Sequence, residues 1–432
     1  MKFYTTNNAT KFVTFKEAVL KGLAEDGGLF MPEFIPRLDS SFINNLENFS
    51  FQEIAFAIAQ KFIEDEIEEN DLKHIIERAI NFPAPLVKLS DDLNILELFH
   101  RPTLAFKDFG ARFMAETISH FTKEKLNILV ATSGDTGSAV AGGFFGKENI
   151  NVFLLYPSGK VSEIQEKQLT TWGGNITALE IEGTFDDCQR LVKAAFADKE
   201  LTSQMKFSSA NSISIARLLP QIFYYFEAYK QLQDKNRETI VCVPSGNLGN
   251  LTAGLFAKMM GLSINKFIAA TNRNDIFTKY INTGNFEPRA SVQTLSNAMD
   301  VGNPSNFVRI INSYKNLYEK IKSDIYSSSF TDDETIETIK EVYEKYDYVI
   351  DPHGAVGYLA VKKFIEENNI KNANSIVLES AHPAKFLDTV EEAINIKVEI
   401  PSRLEECFHK EKQSDKLSAN YEDFKRYLLS KN

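Results

Sequence analysis

Long apolar runs are missing from this chain. Nowhere do about 18 hydrophobic residues stand together, and the N-terminus, Met1-Lys-Phe-Tyr-Thr-Thr, has no hydrophobic stretch of the export type. The expectation is a protein that is neither exported nor inserted in a membrane. Cysteine is scarce as well. Cys188, Cys242 and Cys407 lie far apart and form no CxxC or metal-type spacing, which fits a reducing cytosol, a cytoplasmic location and no bound metal. Cys242, inside Ile240-Val241-Cys242-Val243, reads as a small buried hydrophobe rather than a reactive thiol. Positive charge is short too: the net charge is −11 and no Lys/Arg-rich run stands out, which argues against nucleic acid or an anionic membrane as a partner. An anionic small molecule must then be held by local donors against an unfavourable overall field. Internal repeats and low-complexity tracts are also absent, and the composition is that of a globular protein.

At 432 residues the chain exceeds one ordinary core, so two or three domains are expected. Residues 1–85 read as a mainly helical domain. Thr14 and Glu17 form a capping box, Gly27-Gly28 is the expected helix stop, and Phe51–Phe62 and Leu72–Ile80 are amphipathic. Phe82-Pro83-Ala84-Pro85 breaks the pattern and marks a boundary. Apolar strands then interleave with helices. Strands are expected at 94–98, 127–131, 150–156, 176–181, 239–243, 267–271, 348–351, 375–379 and 397–400. Helices are expected over 109–121, from about 136, over 185–198 and over 249–260. That alternation predicts α/β architecture with a largely parallel sheet covered on both faces. The last thirty residues read as a surface helix and tail.

Chemistry concentrates in a few loops. Lys107 stands in Leu104-Ala105-Phe106-Lys107-Asp108, where an ammonium either reaches solvent or loses its charge. A desolvated lysine is a nucleophilic amine of the kind that forms a Schiff base with an aldehyde cofactor, although a snorkelling lysine has the same local pattern. Thr132-Ser133-Gly134-Asp135-Thr136-Gly137-Ser138 joins a strand to a helix and offers hydroxyls and N–H groups to a carboxylate or phosphate; N-capping by Thr136 is the plainer reading. Pro244-Ser245-Gly246-Asn247-Leu248-Gly249-Asn250 holds an equivalent position, with glycines that let the backbone approach an anion or simply make a turn. It is neither a G-x-x-x-x-G-K-[ST] nor a G-x-G-x-x-G pattern, which argues against nucleoside triphosphates and dinucleotides and leaves a single phosphate as the fitting guest. Asn211-Ser212-Ile213-Ser214-Ile215-Ala216-Arg217 gathers polar residues around a cation suited to phosphate, or to a surface ion pair. Ser380 follows a strand's carboxyl end, where open sheets bind ligands, and His382 before Pro383 reads as a turn residue rather than a general acid.

Five segments, in order, carry a family resemblance: Leu98 to Gly110 around Lys107, the Thr132 to Gly137 loop, Ser245 to Asn250, Met299 to Phe307, and Ser380-Ala-His-Pro-Ala-Lys-Phe386. Together they resemble the threonine synthases, over most of the chain, including the helical N-terminal domain of the longer forms. The resemblance implies a fold-type II pyridoxal-phosphate enzyme (tryptophan synthase β-like): two doubly wound α/β lobes, 86–225 and 226–432, with pyridoxal 5′-phosphate between them. It implies Lys107 as the Schiff-base lysine and Gly246, Asn247, Leu248, Gly249 and Asn250 around the cofactor phosphate. Ser380 would face the pyridine nitrogen, where a neutral hydroxyl leaves the ring unprotonated, and Asp135 the ring hydroxyl, a position often Asn in relatives. Thr132, Ser133, Thr136, Lys160, Asn211, Ser212 and Arg217 would meet the substrate's carboxylate or phosphate. Arg101 stands where many members carry Gly, a departure that bears on the local turn.

The implied reaction is that of a carbon–oxygen lyase acting on phosphates: O-phospho-L-homoserine and water give L-threonine and phosphate, with Lys107 moving protons at the α and β carbons. A related lyase or dehydratase on Ser, Thr or O-phosphothreonine shares the scaffold, and a non-catalytic phosphate-ligand binder is a further reading. Monomer and homodimer are both compatible with the sequence.

Overall fold

The computed structural model describes residues 1–100, 103–132 and 134–431. Two sheets organise it. One has six strands in the order Ile325–Ser329, Lys266–Thr271, Glu238–Pro244, Ala373–Glu379, Leu93–Glu97, Leu86–Lys88, all parallel except the last pair. The other has five parallel strands in the order Asp415–Ser418, Ile176–Glu182, Ile150–Pro157, Leu126–Ala131, Phe207–Ser209. Successive side chains of the central strands enter different cores. Ile240 and Cys242 pack on one side while Val241 and Val243 pack on the other; Ile128 and Val130 oppose Leu129 and Ala131 in the same way. Both faces of each sheet are therefore buried, which is why these strands read as unbroken apolar runs. Cys242 is fully buried among them.

The expected strands at 94–98, 127–131, 150–156, 176–181, 239–243, 267–271 and 375–379 form, within a residue or two of their bounds. Those at 348–351 and 397–400 do not. Their backbone donors are taken by carboxylates instead: Asp351 N–H goes to Glu379 Oε1 at 2.7 Å and Val398 N–H to Glu391 Oε1 at 3.0 Å. Sheet membership also departs from a single cut at 225. Residues 93–97 pair with 375–379, and 415–418 pair with 179–182, because neighbours in a parallel sheet are set by crossovers rather than by chain order.

The N-terminal region is less helical than expected. Phe3–Thr5 lies between Asn8–Val13 and Phe30–Pro32 in a small antiparallel sheet. Asn8–Val13 is exposed nearly throughout, so no alternation announces it. The capping box of Thr14 and Glu17 forms, but the helix Phe15–Lys21 stops at Gly22, at φ 67°, rather than at Gly27-Gly28. This region is pinned to the rest by Arg309, whose fully buried guanidinium donates to the carbonyls of Phe30 and Ile213 and to Asn306. The C-terminal helix Tyr421–Ser430 is amphipathic and buries Phe424 and Leu428, so the tail belongs to the core more than expected.

Candidate active site

Three strand ends converge on a cavity of about 1000 Å³. Helix Lys107–Phe121 begins at Lys107 itself, directly after a turn in which Leu104 is held at φ 55°. The turn is fixed from outside: Phe106 N–H donates to the Ser380 carbonyl at 2.9 Å and His382 N–H to the Leu104 carbonyl at 3.0 Å. Asp108 pins it from within, accepting from Thr103 Oγ1 at 2.8 Å and Thr103 N–H at 3.3 Å. Gly110 is obligatory one turn on, since a Cβ there would stand 2.8 Å from Arg217 Nε and from the Arg217 carbonyl oxygen. His382 caps the short helix Pro383–Phe386 through Nδ1, burial pushes its pKa down to about 4, and it stays outside the cavity wall.

The Lys107 side chain is 16% exposed and faces the cavity. Burial pushes its pKa below the usual lysine range; Asp135, 3.3 Å away, opposes that shift, and Lys385 and Arg217 reinforce it. Asp135 opens the helix Asp135–Phe144. Burial works to raise its pKa, but Lys385 at 2.6 Å and then Lys107 outweigh it and hold the carboxyl far below its ordinary range. Asp135 is therefore a carboxylate. Gln165 Nε2 donates to the same carboxylate at 3.3 Å. Thr132, rather than Thr136, steadies this loop, its Oγ1 accepting from the N–H groups of Gly134 and Gly137 at 3.0 and 2.8 Å. Thr136 is half-buried in the cavity wall, and Ser133 and Arg101 lie outside the described residues.

Opposite stands Ser245 to Asn250. Leu248 takes a left-handed conformation (φ 60°) that costs a non-glycine residue about 1–2 kcal/mol, and helix Gly249–Met259 starts immediately after it. The first N–H to bond back is that of Thr252, to Leu248, so the donors of the preceding turn point out of the helix toward the cavity. Asn247 ties loops together: Nδ2 donates to Ser212 Oγ at 2.5 Å and Oδ1 accepts from Ser305 N–H at 2.5 Å. The Asn250 amide oxygen is committed to its scaffold, since Oδ1 accepts from the hydroxyls of Tyr224 and Tyr225, each at 2.7 Å. That leaves its backbone N–H, not its amide oxygen, for a ligand. Gly246 packs so closely that a Cβ would sit 2.8 Å from Met299 Cα. Gly246→Ala should therefore displace the loop; we expect cofactor affinity to fall at least about tenfold, roughly 1.4 kcal/mol, read as cofactor retained after dialysis.

Arg217 is 3% exposed, and burial pushes its pKa down to about 10. It donates to the Ala210 carbonyl at 2.6 Å, its Nε has no hydrogen-bond partner, and among the described residues no carboxylate contacts it, Asp108 opposing the burial shift only through space. Asn211 Oδ1 beside it is likewise buried without a partner. A buried cation without a contacting counter-ion, on the wall of a polar cavity, is a site for an anion. Ser380 and Ser212 also line the cavity; Lys160 is exposed and does not. Sequence reasoning left Gln165, His353, Asp300 and Lys385 without roles. Asp300 and Lys385 lay inside two of the resemblance segments, Met299 to Phe307 and Ser380 to Phe386, without a role assigned to either; Gln165 and His353 carried no signal.

An amine, a helix N-terminus with free N–H groups, an orphaned guanidinium and a hydroxyl thus share one cavity, and that set fits a phosphorylated aldehyde ring together with an anionic substrate. Comparison with known proteins decides the family. The profile described as threonine synthase N terminus matches residues 2–80, that of the pyridoxal-phosphate dependent enzymes 81–380, and that of the threonine synthase C-terminal region 354–428. The threonine synthase of Haemophilus influenzae is 44% identical over 99% of this chain and 100% of its own. The chain belongs to the threonine synthase family. Its fold is that of the fold-type II pyridoxal-phosphate enzymes, its cofactor is pyridoxal 5′-phosphate, and its activity is that of a threonine synthase. The crystal structure of the threonine synthase from Escherichia coli superposes with a TM-score of 0.91 at 40% identity, covering both chains completely. The pyridoxal-phosphate-bound threonine synthase of Brucella melitensis gives 0.93 at 35% identity, over 100% of this chain and 99% of that one. No helix among the described residues is long and apolar enough to cross a membrane, and among them no cluster could hold a metal ion.

Proposed function

We propose that this site converts O-phospho-L-homoserine and water to L-threonine and phosphate, with Lys107 as the amine that carries the cofactor. The observation that supports this most is the placement of Lys107, the Ser245 to Asn250 loop and the unpaired Arg217 around one cavity. When bound, the cofactor supplies an electron sink for the substrate's α carbon. The N–H groups of Gly246 to Asn250 would hold its phosphate at the helix N-terminus and Ser380 would offer a neutral hydroxyl to its ring nitrogen, while Asp135 lies beside the Lys107 nitrogen. Arg217, Asn211 and Ser212 would bind the substrate's phosphate, and Thr136 and Thr132 line the wall that would meet its carboxylate; Ser133 is proposed for the same carboxylate from its place in the sequence alone. Thr132 acts through its backbone and through the loop it fixes, because its hydroxyl is already engaged. Lys107 moves protons at the α and β carbons. Lys160 is exposed and outside the cavity lining, so the proposed substrate site does not include it.

We also propose a cytoplasmic location, supported by three unpaired cysteines. Phosphate release separates substrates: we expect turnover of O-phospho-L-homoserine to exceed that of O-phosphothreonine at least about tenfold in kcat/KM, the low end of what one misplaced contact is worth. Equal rates, or a preference for O-phosphothreonine, would reassign the enzyme to a related lyase.

A further inference from the structure

A second lysine faces the carboxylate that Lys107 faces. Lys385 has no exposed side-chain surface; its Nζ lies 2.6 Å from Asp135 Oδ1 and donates to the Thr103 carbonyl at 2.9 Å. Lys107 reaches the other oxygen of Asp135 at 3.3 Å. One anion is thus shared by two amines in a buried cluster. A carboxylate and one ammonium neutralise each other, whereas a second buried ammonium has no counter-charge and is costly. The shorter contact, the complete burial and the two acceptors around its Nζ mark Lys385 as the charged member, because an ammonium has three donors to satisfy and no acceptor. We propose that Lys385 is a positioning residue that takes up the charge of Asp135 and so leaves Lys107 as the uncharged, nucleophilic amine of the site. The proposal rests on the reading of Lys107 as the amine that carries the cofactor.

The surroundings agree. The charged groups facing Lys107 are Asp135 from the first turn of the helix Asp135–Phe144, Lys385 from the short helix Pro383–Phe386 and Arg217 from the helix Ile215–Leu218, with Asp108 on its own helix turned to Thr103. His353, from the helix Pro352–Asn368, faces Asp135, and Gln165 adds a neutral donor. Without Lys385, Asp135 would have Lys107 as its nearest cation and would hold it as an ammonium. That matters because capture of the cofactor needs a lone pair. The Lys107 nitrogen attacks the aldehyde carbon, a carbon–nitrogen double bond forms, and the carbonyl oxygen leaves as water with the two nitrogen hydrogens.

The test mixes apoenzyme with pyridoxal 5′-phosphate and follows growth of the visible absorption band as a function of pH. In Lys385→Met we expect the midpoint of that profile to rise by at least about one pH unit, so that capture at pH 7 slows about tenfold. A lone Met beside Asp135 can fail to fold, so a second comparison is included. The double variant Asp135→Asn with Lys385→Met removes the pair together, a change buried sites tolerate. Its midpoint should lie within about half a pH unit of the wild type, because Lys107 then loses the carboxylate that would charge it together with the ammonium that screens it. A double-variant midpoint at least about one pH unit below the wild type, or an unchanged or lowered midpoint in Lys385→Met, would overturn the proposal. Wild-type apoenzyme that develops no band would overturn the reading of Lys107 beneath it, whatever the variants do.

Discussion

Lys107→Ala is expected to lower kcat for phosphate release by about 10³-fold or more, since it removes both the amine that carries the cofactor and the group that moves protons, the latter alone commonly worth 10²–10⁴-fold. Steady-state phosphate release from O-phospho-L-homoserine measures it. The same variant should leave the fold intact. The amine it deletes is desolvated and is the weaker of the two lysine partners of Asp135, which keeps Lys385 at 2.6 Å. Alanine also suits the first turn of the helix Lys107–Phe121. The melting temperature of the apoenzyme should therefore stay level or rise. Loss of activity together with a collapsed melting temperature would point to a structural lysine instead.

The second large effect is expected at Arg217. Its guanidinium is buried, donates to the Ala210 carbonyl and touches no carboxylate among the described residues, with Asp108 acting on it only through space, so an incoming phosphate would meet a cation that no contacting anion pairs. A bidentate grip supplies two charge-assisted hydrogen bonds of about 1.5–3 kcal/mol each. Arg217→Met should then reduce kcat/KM by about 10²- to 10⁴-fold. Lysine is expected to restore only part of it, because a point charge lacks the planar fork. Stability should change little: the Ala210 carbonyl loses a donor, worth about 1 kcal/mol, while the burial of an unpaired cation is relieved. An unchanged kcat/KM would remove Arg217 from the substrate site.

How much of this was legible in the sequence follows from how local each signal is. Strand–loop–helix units announce themselves through unbroken apolar runs followed by Gly, Ser and Thr, and that placed the loops after Ala131, Pro244 and Glu379 correctly. The small N-terminal sheet was not legible, because Asn8–Val13 exposes both faces and carries no period. Residues 348–351 and 397–400 have strand-like composition, yet the side chains of Glu379 and Glu391 capture backbone donors there, which no local pattern reveals. In the site, Lys107, Asp135, Arg217 and the Gly246 to Asn250 loop were readable as motifs, and the structure brings all of them to one cavity. Lys385 and Gln165 acquire meaning only through tertiary contact with Asp135. Lys160 shows the converse: a cation in a suggestive Pro-Ser-Gly-Lys turn that folds to the outside.

The central claim concerns one nitrogen, and two buried lysines compete for it, so the most direct measurement identifies the residue by mass. The enzyme loaded with pyridoxal 5′-phosphate is reduced with borohydride, digested, and the cofactor-bearing peptide sequenced. The expected result is loss of the visible band together with a single modified site at Lys107. Modification at Lys385 or any other lysine, or a protein that takes up no cofactor at all, would contradict the account.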